Sequence, residues 1–106
     1  MPTTPAERRR REIVAEIAKI GFCLPGSLVT RTTRCGTRSC RCHTDPERIH
    51  GPYLSWIGKV GAKTVTRNLD ADKAERYQPL LENHRRLRAL VAELEALSVQ
   101  WVIESE

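Results

Sequence analysis

A chain of 106 residues with a net charge of +5 and only 5% aromatic residues can fold as one modest domain, but it is poor in the large side chains that fill a core. Its apolar runs are far too short to span a bilayer, which excludes a membrane-spanning helix. Residues 1–69 hold thirteen Lys and Arg against five Asp and Glu, whereas residues 70–106 hold five against eight, so the basic part points to phosphate-bearing partners.

In chain order, Thr4-Pro5-Ala6-Glu7 predicts a helix start, with Thr4 as N-cap, Pro5 at the first helical position and Glu7 completing a capping box. Ile13, Val14, Ile17 and Ile20 recur at helical spacing, and Gly21 is expected to end the helix. Arg8 to Arg11 wrap around the first turns, where cations oppose the helix dipole. They form a solvated face or a phosphate contact. The absence of an apolar run near this start argues against a secretory signal and predicts a cytoplasmic protein, nucleoid-associated if it binds DNA.

Ser27 to Arg34 is rich in β-branched residues and predicts a strand. Gly51-Pro52 predicts a turn, Tyr53–Ile57 a second strand, Gly58–Ala62 a turn, and Lys63–Leu69 a third strand with alternating character. Asp70-Ala-Asp is expected to cap a new helix that kinks or restarts near Pro79. Beyond it Leu80, Leu87, Leu94 and Trp101 fall every seven residues, with Asn83, Leu90 and Leu97 at the intervening position and Val91 widening the stripe. This coiled-coil-like stripe predicts a homodimer or a partner-protein surface, with Asn83 fixing register; packing within the chain is the alternative. His84, beside Asn83, falls on the surface or at the seam.

The expected fold is α+β: an N-terminal helix, a small three-stranded antiparallel sheet with a zinc knuckle, and a long C-terminal helix. One domain is expected over 1–106, organised as 1–21, 27–69 and 70–104.

The densest chemistry lies between the first two strands. Cys35, Cys40, Cys42 and His50 supply three thiols and an imidazole within sixteen positions, the ligand set of a closed, structural Zn2+ site. In a cytosolic chain, closely spaced cysteines bind metal more often than they form disulfides. Cys40-Arg41-Cys42 is tighter than the usual two-residue knuckle. His43 and Cys23 compete with His50 for the fourth position, but His43 directly follows Cys42, and the apolar neighbours of Cys23 suggest a buried thiol. Three thiolates would give the metal poor Lewis acidity, and nothing marks Asp45 or Glu47 for acid–base work. No enzyme is expected.

Arg31, Arg34, Arg38, Arg41, Lys59, Lys63 and Arg67 belong to the knuckle and strands, and are the expected nucleic-acid contacts. Tyr53 and Trp56 lie three apart in one strand and so face opposite sides, one toward the core and the other available to a base. Leu80, Leu87, Leu90, Leu94, Leu97 and Trp101 are the expected dimer or partner residues.

Gly26-Ser-Leu-Val, Arg34-Cys-Gly-x3-Cys-Arg-Cys, His50-Gly-Pro-Tyr-Leu-Ser-Trp, Gly61-x-Lys-Thr and Leu81-Glu-Asn-His-Arg-Arg-Leu-Arg resemble a family of small prokaryotic proteins of unknown function. The resemblance covers residues 26–97 and implies that Cys35, Cys40, Cys42 and His50 act as one unit; it implies no activity. A weaker likeness of topology is to the arm-type DNA-binding domain of tyrosine recombinases, which fits a mobile-element or phage setting. The expected function is a zinc-stabilised nucleic-acid-binding protein, DNA favoured over RNA, acting as an accessory or regulatory factor. The alternatives are an interaction module that docks a larger enzyme through its C-terminal helix, and a thiol or metal redox sensor.

Overall fold

The computed structural model describes residues 4–33, 36–48 and 50–106; the side chains of Thr33, Pro46 and His50 fall outside that description. The fold is α+β, in the order α1 (Pro5–Ala18), β1 (Ser27–Thr33), two 3₁₀ turns (Arg41–His43 and Pro46–Arg48), β2 (His50–Val60), β3 (Lys63–Leu69) and α2 (Ala71–Ser105). The residues group into two compact units: a helical unit of Met1–Leu24 with Pro79–Glu106, and a sheet unit of Pro25–Gln78.

In the helical unit, α1 begins as its sequence demands. The Glu7 backbone N–H donates to Thr4 Oγ1 at 3.1 Å, and the Thr4 N–H donates to the Glu7 carboxylate at 3.4 Å. These reciprocal bonds satisfy two of the amides that a helix start leaves without partners. The helix ends at Ala18, earlier than Gly21, because the last turn tightens: Lys19 N–H reaches Glu16 O at 3.2 Å and Ile20 N–H reaches Ile17 O at 3.0 Å. Ile13 is fully buried, whereas Val14 of the same predicted stripe stays 47% exposed.

The second half of α2 runs antiparallel to α1. Arg9 meets Glu93, Glu16 meets Arg86 at 3.7 Å, and the Asn83 amide donates to Phe22 O at 2.9 Å. Leu24 N–H closes the series on Leu80 O at 3.0 Å. Only Ile13, Leu81 and Leu90 of this unit are buried hydrophobics among the described residues.

Asp70 caps α2 as expected, its carboxylate accepting from Lys73 N–H at 2.8 Å. The restart that the sequence allowed at Pro79 does not occur: one helix of 35 residues carries the proline inside it. Pro79 lacks the N–H that would reach the Glu75 carbonyl, so the helix runs through this position without that bond.

The sheet has the order β1-β2-β3, antiparallel throughout. β2 is longer than predicted at both ends. Gly51-Pro52, expected as a turn, lies inside it with a cis peptide bond. There the pairing with β1 slips, from Arg31 opposite Tyr53 to Thr33 opposite His50, so β2 carries one extra residue. At the other end the turn shrinks to Gly61-Ala62, since Val60 already pairs with Lys63. Gly61 has φ +65°, as a two-residue Gly-X hairpin requires.

Gly58, read from sequence as a turn residue, is a strand residue for a different reason. A Cβ there would sit 2.3 Å from the Trp56 ring. The glycine is the slot along which the indole lies. Trp56 is 5% exposed, donates from Nε1 to Pro25 O at 2.9 Å, and meets Tyr77 edge-on with ring centroids 6.2 Å apart. It is the core aromatic of the sheet unit.

Candidate metal knuckle and nucleic-acid interface

In the connection from β1 to β2, the described residues 36–48 are built from consecutive tight turns. Cys40 N–H reaches Thr37 O at 3.0 Å, His43 N–H reaches Cys40 O at 3.2 Å, and Asp45 N–H reaches Arg41 O at 2.8 Å. Asp45 then accepts from Glu47 N–H at 3.0 Å through its side chain, and Arg48 N–H reaches Asp45 O at 3.0 Å. Small and polar residues permit this winding, and the stretch contains little that could form a core alone. Within it Cys42 is fully buried and Cys40 half-buried, while Arg38, Arg41 and His43 are exposed.

Two predicted ligands and one predicted nucleic-acid contact are not placed by this geometry. Cys35 and Arg34 lie outside the described residues, as does the His50 side chain; the His50 backbone stands opposite Thr33, where β2 begins. Among the described residues, no three His, Cys, Asp or Glu side chains are gathered as a metal-binding group. Cys23 belongs to the helical unit and is half-buried, its thiol directed to Gly21 O at 3.4 Å. The expectation of a buried thiol is corrected there: the neighbouring Phe22 is 87% exposed. Asn83 holds the Phe22 carbonyl and leaves the ring in solvent.

Strand register sorts the predicted contacts by face, because directly paired residues share a face and neighbours along a strand alternate. Arg31, Tyr53 and Lys59 fall on one side, with Val29, Ser55 and Ile57. Lys63 and Arg67 fall on the other, with Leu54, Trp56 and Gly58. Arg31 and Tyr53 are half-buried; Lys59, Lys63 and Arg67 are exposed.

Along α2, Leu90 is buried, Leu80, Leu87, Leu94 and Leu97 are half-buried, and Trp101 is 52% exposed. Leu81, 3% exposed, was hidden from the sequence pattern because it stands one position off the heptad stripe. Asn83, expected to fix the register of paired helices, is engaged within the chain by Phe22. His84 is half-buried. A groove of about 470 Å³ runs between the start of α1 and the end of α2, with Arg10 and Arg11 beside Leu94, Leu97, Trp101 and Val102.

Arg9, one of the four N-terminal arginines, serves cohesion. It bonds Glu93 through two nitrogens and Glu12 at 3.0 Å. These hydrogen bonds, Glu93 first, hold its guanidinium above the ordinary arginine range, and Arg9 in turn holds the Glu93 carboxyl below the usual carboxylate range. The helical unit as a whole carries eight cations and eight anions among Lys, Arg, Asp and Glu, while the sheet unit carries ten and five. The whole net charge of +5 therefore resides in the sheet unit. Arg48 meets Asp45 at 3.9 Å there, and among the described residues no other lysine or arginine of that unit is ion-paired.

No helix is long and apolar enough to cross a membrane among the described residues. Neither a curated protein nor a solved structure matches the chain. The family match is to a domain of unknown function (DUF6788) over residues 3–79, a span that takes in α1, the cysteine-bearing connection and the entire sheet. The chain belongs to that DUF6788 family.

Proposed function

We propose that the chain is a zinc-stabilised nucleic-acid-binding protein, with DNA favoured over RNA, that binds rather than catalyses. The observation that carries this reading is the charge division: the sheet unit holds the full +5, and its described cations, Arg48 aside, lack acidic partners within the chain. Cations left without internal partners bind phosphates and release the counterions condensed on them, which supplies affinity. Zn2+ would be held by Cys35, Cys40, Cys42 and His50, with a structural role; buried Cys42 and half-buried Cys40 suit such a closed site. Arg38 and Arg41, exposed in the connection, would then be displayed by the metal. The likeness to the arm-type domain of tyrosine recombinases suggests a mobile-element or phage setting, as an accessory factor.

Native mass spectrometry on protein purified without chelator tests the metal and the oligomeric state together. One zinc per chain is expected, and none would remove the knuckle from the proposal. Titration of DNA at several salt concentrations tests the phosphate contacts. Affinity should fall steeply with salt, and Arg38→Ala with Arg41→Ala should lower it without loss of zinc. Salt-independent binding, or none, would overturn the nucleic-acid reading.

A second reading is favoured by one observation: Val99, Trp101, Val102 and Ile103 are all 47–64% exposed near the end of α2. Such a patch suits a second copy or a partner protein. Leu87→Asp should dissociate a dimer built on the stripe, and a monomeric mass before mutation would refute the homodimer.

A further inference from the structure

The two faces of the sheet differ in kind. One lays Trp56 over Gly58 and sets it against Tyr77. On the other, Arg31 and Tyr53 are direct cross-strand partners, both half-buried. Beside them Ser55, with no exposed surface, donates from Oγ to Asn68 Oδ1 at 2.7 Å, and exposed Thr64 and Thr66 continue the face on β3. Lys59 stands on the same side toward the hairpin. No aspartate or glutamate occurs in any of the three strands.

We propose that this face binds single-stranded nucleic acid, with Tyr53 stacking on a base, Arg31 lying against the next base or its phosphate, and Lys59 holding the backbone; this deepens, and rests on, the nucleic-acid reading above. A duplex buries the flat sides of its bases and offers only edges and phosphates. A partly open phenol ring next to a planar guanidinium, on a face of mixed Val29, Ile57, Ser55 and threonine side chains without carboxylates, is matched instead to unstacked bases and the phosphates between them.

The test is fluorescence anisotropy at about 0.1 M salt. The probes are a labelled oligothymidylate and a labelled mixed-sequence duplex, each of about 20 nucleotides or base pairs, a length that covers the site size of small single-strand binders. The single strand should bind more tightly than the duplex. Tyr53→Phe should retain affinity within about twofold, and Tyr53→Leu should lose on the order of tenfold, since a stacking ring is kept in one and removed in the other. Arg31→Ala, measured alongside, should also lose affinity for the single strand, and serves if Tyr53→Leu fails to fold by its melting curve. Tighter duplex binding, or equal losses in the Phe and Leu variants, would overturn the stacking assignment and leave the phosphate reading standing. Binding to neither probe would overturn both.

Discussion

The helical and sheet units use charge in opposite ways. In the helical unit, eight cations face eight anions, and Arg9, Arg85 and Arg86 are each paired with a glutamate. The buried apolar residues beneath are few: Ile13, Leu81 and Leu90. In the sheet unit, ten cations face five anions, while cohesion comes from two antiparallel ladders and from buried Trp56, Ser55 and Cys42. One region uses its charged side chains to hold itself together. The other is held by its backbone ladders and buried side chains, and among its described cations only Arg48 is ion-paired. A thin core supplemented by exposed ion pairs is weak support, since such pairs contribute little and are screened by salt.

The proposed zinc site predicts the sharpest division between the two units. A strong chelator at neutral pH is expected to abolish amide-exchange protection across β1–β3 while α1 and the second half of α2 keep theirs, because structural zinc contributes directly to folding. Cys42→Ser should act the same way. Unchanged protection after chelation, with a loss of no more than about 3 kcal/mol in Cys42→Ser, would make Cys42 an ordinary buried thiol.

Next in size, Ile13→Ala or Leu90→Ala should cost about 2–5 kcal/mol, as expected for large-to-small changes at buried sites. Exchange should accelerate in the helical unit first. Equal acceleration in the strands would show that the two units unfold as one block. Gly58→Ala should cost about 1–3 kcal/mol, because its methyl group meets the Trp56 ring and the indole must move. Chemical denaturation would measure it, and an unaltered midpoint would mean that the ring yields freely.

The smallest effect is expected from Glu93→Gln, and it should depend on pH. Arg9 holds the Glu93 carboxyl below its usual range. A carboxyl depressed in the folded state contributes stability above its unfolded pKa, near pH 4, and loses that contribution as pH falls through the lower folded value. The variant should therefore melt slightly below the wild type at pH 7 and alongside it at strongly acidic pH. A gap that persists in acid, or that ignores added salt, would assign the effect to packing.

Much of the fold was legible because its signals are local. Thr4, Pro5 and Glu7 specify a cap within four residues, and Lys63–Leu69 holds the β-branched run Thr64-Val65-Thr66 and is bounded by a glycine turn and by Asp70. The errors fell where a residue answers to something distant in sequence. Gly58 and Gly51-Pro52 look like punctuation, yet one makes room for an indole and the other sits at a pairing slip opposite β1. Asn83 sits in a heptad position but is taken by the Phe22 carbonyl. Of the four N-terminal arginines, sequence could not select Arg9, since its main partner is 84 positions away. For the candidate site, spacing singled out the cysteines and cations, whereas the division of the cations between two faces required the register.

The two tryptophans give each unit its own optical label. Trp56, in the sheet unit, is 5% exposed and hydrogen-bonded to a carbonyl, so its emission should be blue-shifted and hard to quench. Trp101, in the helical unit, is 52% exposed and should emit toward the red and be quenched readily by iodide. Intrinsic fluorescence of the unmodified protein can therefore follow the two units separately in one cuvette.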